Sequence, residues 1–129
     1  MRKSFIAALI IAASFSLGIA QENTTTTQDA PSRGVAPKEM NGIGRADVRV
    51  FDDAGNPIKN AYIKLESTRT DGFFCESWAY TDGNGIAVLP PLHMGSLKMI
   101  VKAKGYKTQK VEVLASNLGD PVRVTMEKK

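Results

Sequence analysis

The sequence predicts an all-β protein whose folded part is a seven-stranded antiparallel β-sandwich. Short runs of apolar residues alternate with polar ones, and clusters of Gly, Asn, Asp and Pro separate these runs. Helical periodicity is missing outside the N-terminal segment. In so short a chain, two packed sheets are the arrangement that buries one face of every strand.

The first twenty residues, 1–20, have the layout of a secretory signal peptide. A basic pair, Arg2-Lys3, precedes an apolar run that ends at Leu17, and small residues follow up to Ala20. A membrane anchor is the alternative interpretation, but the run is short for a bilayer span and contains serines. We expect cleavage after Ala20, so that a secreted or periplasmic chain begins at Gln21 and spans no membrane.

Residues 21–42 are interpreted as a flexible spacer. Thr, Pro, Ser and Gly are frequent here, and almost no large apolar side chain is present to offset the entropy lost on ordering. Asn23 begins an N-glycosylation acceptor pattern, whose use depends on the host. The folded domain is expected over residues 43–129, which is enough chain for one hydrophobic core.

Charge and cysteine content restrict the function classes. The formal net charge is +4, but two of the positive charges belong to the signal segment and the rest of the chain carries only +2. Nucleic-acid binding therefore gains no support and we expect none. Cys75 is the only cysteine in the sequence, so no disulfide can form within the chain. We expect a buried, inert thiol, with an intermolecular disulfide as the alternative.

The first two strands follow from their alternation. The first run stops at residues 52–57, which are rich in turn formers. A step of three residues between Ile58 and Ala61 indicates an irregularity near Asn60. The residues expected to face the core are Ala46, Val48, Val50, Ile58, Ala61, Ile63 and Leu65, and those expected to face outward are Asp47, Arg49, Tyr62, Lys64 and Glu66.

The third strand, residues 73–80, does not reveal which face it buries. One face carries Phe74, Glu76, Trp78 and Tyr80, and the other carries mostly smaller side chains. Aromatic bulk favours burying the first face, whereas the glutamate argues against it.

Four further strands complete the sandwich, at residues 86–88, 97–103, 111–113 and 122–126. Gly85 ends the turn at 82–85, and we expect a left-handed backbone there so that Ile86 re-enters the core. Lys98, Lys102 and Lys104 are expected to give the segment 97–104 a basic outer face.

Three stretches, residues 50–58, 81–85 and 101–106, resemble in their order and spacing the carboxypeptidase regulatory-like domain, which is itself similar to transthyretin-like, prealbumin-like and Ig-like sandwiches. The resemblance spans residues 44–126. It implies a fold-assisting, adhesive or regulatory module of the kind that is attached to enzymes, transporters or surface proteins.

Enzymes of similar architecture set requirements that this sequence does not meet. His93 is the only histidine, and we expect it in a solvent-facing loop. Transthyretin-like hydrolases use several histidines, and intradiol dioxygenases bind iron through two tyrosines and two histidines. Both activities are therefore excluded. A small unrecognised hydrolase is a third alternative, although no nucleophile and base are placed together.

Metal sites are also not predicted. Zinc or copper would need distant carboxylates to join His93 and Cys75. Calcium takes about six to eight converging oxygen ligands, and the Asp and Asn side chains at 52–53, 82 and 84 are better explained as turn formers. We expect no cofactor, no metal ligand and no catalytic residue.

Two groups of residues are candidate binding sites. Trp78 and Tyr80, with Phe74, would form a strip for stacking on a sugar or peptide if exposed, although burial in the core is the favoured interpretation. The lysines would face an acidic glycan, an anionic envelope surface or a partner protein if they bind a ligand, although a solvated face that protects the sheet from edge aggregation is the favoured interpretation. These lysines are Lys98, Lys102 and Lys104, with Lys107 and Lys110 nearby.

The leading hypothesis is an exported, non-catalytic module that interacts with a protein or with the cell-envelope surface. A carbohydrate-binding module is the alternative.

Overall fold

The computed structural model describes residues 30–129. The predicted signal peptide, the cleavage site after Ala20 and the Asn23 acceptor lie outside the described residues. None of the helices in the described part is long and apolar enough to cross a membrane.

Within residues 30–129, nine strands form three sheets, and a short 3-10 helix, Ala115–Asn117, follows the eighth strand. The four-stranded sheet has the order β4-β3-β7-β8, the three-stranded sheet has the order β9-β2-β5, and β1 pairs with β6. The strands are β1 (Ile43–Gly44), β2 (Asp47–Asp52), β3 (Tyr62–Thr68), β4 (Phe74–Tyr80), β5 (Ile86–Val88), β6 (Leu92–His93), β7 (Ser96–Lys102), β8 (Gln109–Val113) and β9 (Val122–Met126).

The all-β sandwich is confirmed, and the seven predicted strands correspond to β2–β5 and β7–β9. One pair departs from the antiparallel pattern, because β9 runs parallel to β2 with Val122 beside Val48. On its other side β2 pairs antiparallel with β5. Alternation in the sequence shows which residues face the core but not the direction of the neighbouring strand.

The core lies between the two larger sheets. The inward-facing predictions are confirmed, since Val48 and Ile63 are fully buried and Val124 is 4% exposed. Full burial of a branched aliphatic side chain contributes about 1.5–3 kcal/mol. Lys102, on the opposite face of its strand, is exposed.

The outward prediction for Asp47 and Arg49 is wrong, because both side chains are buried. Residues 31–35, which we call the N-terminal strap, lie against this side of β2. The backbone N–H of Arg33 donates to Asp47 Oδ2 at 2.9 Å, and Arg49 Nη2 donates to the carbonyl of Pro31 at 3.1 Å. The folded unit therefore begins at Pro31, earlier than the boundary at residue 43 that we expected.

The expectation that β4 buries its aromatic face is also wrong. Phe74, Trp78 and Tyr80 are 51%, 55% and 59% exposed, whereas Ser77 is buried on the other side. On that inner side β4 comes close to β5 and β6, and the small side chains there allow the approach.

The turns confirm the conformational predictions. Gly85 has a φ of 75°, and Asn60 has a φ of 63° at the expected irregularity. Asp82 Oδ1 accepts hydrogen bonds from the backbone N–H groups of Asn84 and Ile86, at 2.8 and 3.1 Å. Local backbone donors therefore occupy this carboxylate oxygen.

Candidate functional site

The outer face of the four-stranded sheet is the candidate site, and we call it the outer face. Strand register places its side chains in four rows that run across the sheet. Leu114 follows directly after β8 and continues the fourth row. From β4 towards β8, the rows are Tyr80, Tyr62 and Lys102; Trp78, Lys64, Ile100 and Lys110; Glu76, Glu66, Lys98 and Glu112; and Phe74, Thr68, Ser96 and Leu114.

Four aromatic side chains occupy the β4 and β3 positions of this face, and we call them the aromatic strip: Tyr62, Phe74, Trp78 and Tyr80. The rings of Tyr62 and Tyr80 lie 5.4 Å apart at an angle of 51°. β4 is an edge strand, and within residues 30–129 no strand pairs with its free side. The strip therefore borders an open sheet edge.

The outer face is divided electrostatically. Lys64 Nζ lies 3.1 Å from Glu66 Oε2 and 3.7 Å from Glu76 Oε1, so two carboxylates share one ammonium group beside the aromatic strip. The hydrogen bond with Glu66 raises the pKa of Lys64, which stays charged. β3 and β4 therefore form an acidic, aromatic half of the face.

β7 and β8 form a basic half, in which Lys98, Lys102 and Lys110 accompany a single glutamate, Glu112. Lys98 and Lys102 give β7 the basic outer face that was expected, whereas β3 and β4 are acidic. Glu66 of β3 lies beside Lys98. The sequence of β7 alone could not predict this neighbour, because strand pairing brings the two residues together.

A hollow of about 340 Å³ lies in the basic half. Polar and charged side chains from three strands surround it, and Ile100 contributes an apolar wall. Its lining residues are Glu66, Lys98, Met99, Ile100, Lys110, Val111 and Glu112.

The structure brings together four of the five candidate binding residues. Trp78, Tyr80, Lys98 and Lys102 share the outer face, whereas Lys104 lies in the turn after β7. The sequence analysis did not include Tyr62, Glu66, Glu76 and Glu112 among the binding candidates. Alternation shows which residues share a face within one strand. Whether residues of different strands share a face depends on the strand order, which the sequence does not show.

The candidate metal and nucleophile residues are not assembled into a reactive site. His93 is exposed as expected but lies in β6, and its Nδ1 is 3.1 Å from the carbonyl oxygen of Asn41. Cys75 is half-buried against the core, with Sγ 3.5 Å from the carbonyl oxygen of His93. Among residues 30–129, no three His, Cys, Asp or Glu side chains are grouped to hold a metal ion.

The fold and the outer face define a small β-sandwich module that presents one sheet face to solvent. The family model for the carboxypeptidase regulatory-like domain matches residues 47–127. The chain belongs to this family, and the resemblance seen in the sequence is confirmed.

Among solved structures, the chain is similar to 3-chlorocatechol 1,2-dioxygenase from Rhodococcus opacus 1CP. The two share 12% sequence identity with a TM-score of 0.53, over 78% of this chain and 65% of the dioxygenase. The chain thus matches less than two thirds of the enzyme's length, and at this identity the similarity concerns the fold alone. Comparison with curated proteins gave no match.

Proposed function

We propose that the chain is an exported, non-catalytic module that binds another protein through the outer face. Family membership and the sandwich fold support a non-catalytic module in general terms. The layout of residues 1–20 supports export. The single observation that carries the proposal is the exposure of the three β4 rings of the aromatic strip along a sheet edge with which no strand of residues 30–129 pairs.

Comparison of the sheet edges supports this role for β4. β5 is only three residues long, β9 is five residues long and carries Arg123, and β8 carries Lys110 and Glu112 on its outer side. Short length and charge are devices that protect an edge from unwanted pairing. β4 is seven residues long, and three of its four outward side chains are aromatic. It is thus the edge whose exposed surface a protein partner would best cover.

The composition of the outer face also fits protein recognition. Tyr and Trp are enriched at protein interfaces because they combine a large apolar area with a polar group. The two negative charges of Glu66 and Glu76 exceed the single positive charge of Lys64 beside them. This half of the face therefore suits a partner that brings cationic side chains, which also interact favourably with aromatic rings.

Site-specific photo-crosslinking in the producing host tests the proposal. A photoreactive phenylalanine derivative that replaces Trp78 should give a discrete protein adduct after irradiation. The same derivative at Lys104, which is exposed but lies outside the outer face, should give none. Absence of an adduct at position 78, or equal adducts at both positions, would contradict the proposal.

Carbohydrate binding is the second candidate function, and the exposed rings of Trp78 and Tyr80 favour it because aromatic faces stack on sugar rings. A glycan array probed with the exported chain and with Trp78→Ala separates the two candidates. Glycan binding that the substitution abolishes, without any protein adduct, would replace the protein-binding proposal. Among residues 30–129, no contact or distance described above favours the hydrolase alternative.

A further inference from the structure

We infer that the partner of the outer face is a second copy of this chain, an inference that rests on the proposed function. The two copies are related by a two-fold axis that runs parallel to the strands, between β3 and β7. The axis places β4 of one copy over β8 of the other and β3 over β7, and it keeps the four rows aligned. Such an interface is self-complementary, so each contact occurs twice.

The charge division of the outer face carries the inference. The axis sets the acidic, aromatic half of each copy against the basic half of the other. Glu66 then faces Lys98 of the second copy, as an ion pair of opposite charges. Tyr62 faces Lys102 of the second copy, where the ammonium group lies over an aromatic ring. Two copies of one surface thereby satisfy each other's charges.

The shape of the outer face agrees with its charges. Trp78 occupies the same row as Lys110, so the axis directs the indole of one copy towards the hollow of the other. Phe74 and Leu114, 51% and 67% exposed, occupy the two ends of the fourth row and meet each other across the axis. The projecting tryptophan and the hollow are therefore complementary parts of one interface.

One contact opposes this arrangement, because Glu76 faces Glu112 of the second copy. Lys64 lies 3.7 Å from Glu76 and accompanies it into the interface. Lys98 of the second copy is the register neighbour of Glu112 and lies on the same row. Both ammonium groups also face Glu66, so they are shared among three carboxylates, and they reduce the repulsion at this contact without removing it.

The size of the outer face predicts a weak, reversible dimer. Four strands about 4.8 Å apart, each about seven residues of about 3.3 Å, cover roughly 450 Å² per copy. The interface then buries about 900 Å² in total, less than the roughly 1,200 Å² at which stable complexes begin. Association should be detectable only at high protein concentration.

Charge reversal tests the inference by sedimentation velocity across a concentration series of the exported chain. Glu66→Lys and Lys98→Glu should each weaken self-association about tenfold or more, because the axis turns both symmetric ion pairs into repulsive pairs. A mixture of the two variants should associate again. In the mixed dimer the introduced lysine of one variant meets the introduced glutamate of the other, and the unchanged Glu66 and Lys98 form the second ion pair. Trp78→Ala should also weaken the dimer, whereas Lys104→Glu should not change it.

The outcomes separate this inference from the proposed function. A wild-type chain that remains monomeric at millimolar concentration overturns the dimer, as does a mixture that fails to associate better than either variant alone. If the crosslinked adduct at position 78 then contains a different protein, the proposed function stands without the dimer. If no adduct forms, both fail. Circular dichroism of each variant checks that the fold is retained.

Discussion

Replacing Gly85 by alanine should destabilise the domain far more than the same replacement at Gly55. Both glycines have a positive φ, 75° at Gly85 and 88° at Gly55. A Cβ at position 85 would lie 2.6 Å from the carbonyl oxygen of Val50 and 2.9 Å from Cβ of Pro57. At position 55 a Cβ would meet no atom of residues 30–129 within 4 Å, apart from its own chain neighbours.

These distances allow the two costs to be separated. The left-handed conformation costs alanine about 1–2 kcal/mol relative to glycine, and the reduced entropy of the unfolded chain offsets about 0.4–1 kcal/mol of this. Gly55→Ala should therefore cost about 1 kcal/mol. Overpacking adds about 1–3 kcal/mol at position 85, where the close atoms belong to the backbone of the central strand β2 and to a proline ring. Gly85→Ala should cost about 2–4 kcal/mol in total.

Urea denaturation of the wild type and the two variants measures these differences, because the midpoint shifts while the slope stays constant. The difference between the variants isolates the steric contribution, since both carry the conformational one. Equal losses of unfolding free energy at the two positions would refute the argument that backbone packing against β2 requires glycine at position 85.

Three further predictions concern the core, the N-terminus and the buried ion pair in which Arg49 Nη2 lies 3.0 Å from Asp47 Oδ2. Val48→Asp should unfold the domain because it places an unpaired charge between the sheets, whereas Lys102→Glu should barely move the melting temperature; equal thermal shifts would contradict the strand facing. Burial by itself raises the pKa of Asp47, but the hydrogen bonds from Arg49 and from a backbone N–H, together with the arginine charge, outweigh this and lower the pKa. A lowered pKa stabilises the fold at pH values above the unfolded-state pKa of about 3.9, and this contribution is lost on acidification. The unfolding free energy should therefore decrease as the pH drops below about 4. Asp47→Asn should make this decrease smaller, as measured by denaturant titrations at several pH values. N-terminal sequencing of the exported chain should find Gln21 first, and an intact signal segment would contradict cleavage.

The sequence predicted the strands well because one face of each strand must be apolar. Val48, Ile63 and Val124 were identified from alternation alone, and all three lie in the core. Alternation failed for Asp47 and Arg49, because their side of β2 is covered by the N-terminal strap. A polar strand face looks the same in the sequence whether water or a hydrogen-bonded strap lies against it.

The candidate site was predicted less completely. Trp78 and Tyr80 were recognised as binding candidates, but their bulk favoured burial, and the sequence does not show that β4 is an edge strand with small side chains on its inner side. The division of charge depends on which strands are neighbours. Glu66 and Lys98 are 32 positions apart in the chain and adjacent in the sheet, and only the strand order brings them together.

The parallel pairing of β2 with β9 has a consequence for the order of folding during synthesis. Val48 and Val122 are neighbours in the sheet, although about 70 residues separate them in the chain. Such a distant contact requires loop-closure entropy to be lost before burial offsets it, which slows folding. The three-stranded sheet cannot be completed until β9 has been made. For most of synthesis β2 therefore has a neighbour on one side only, and its open edge is available for pairing with other chains.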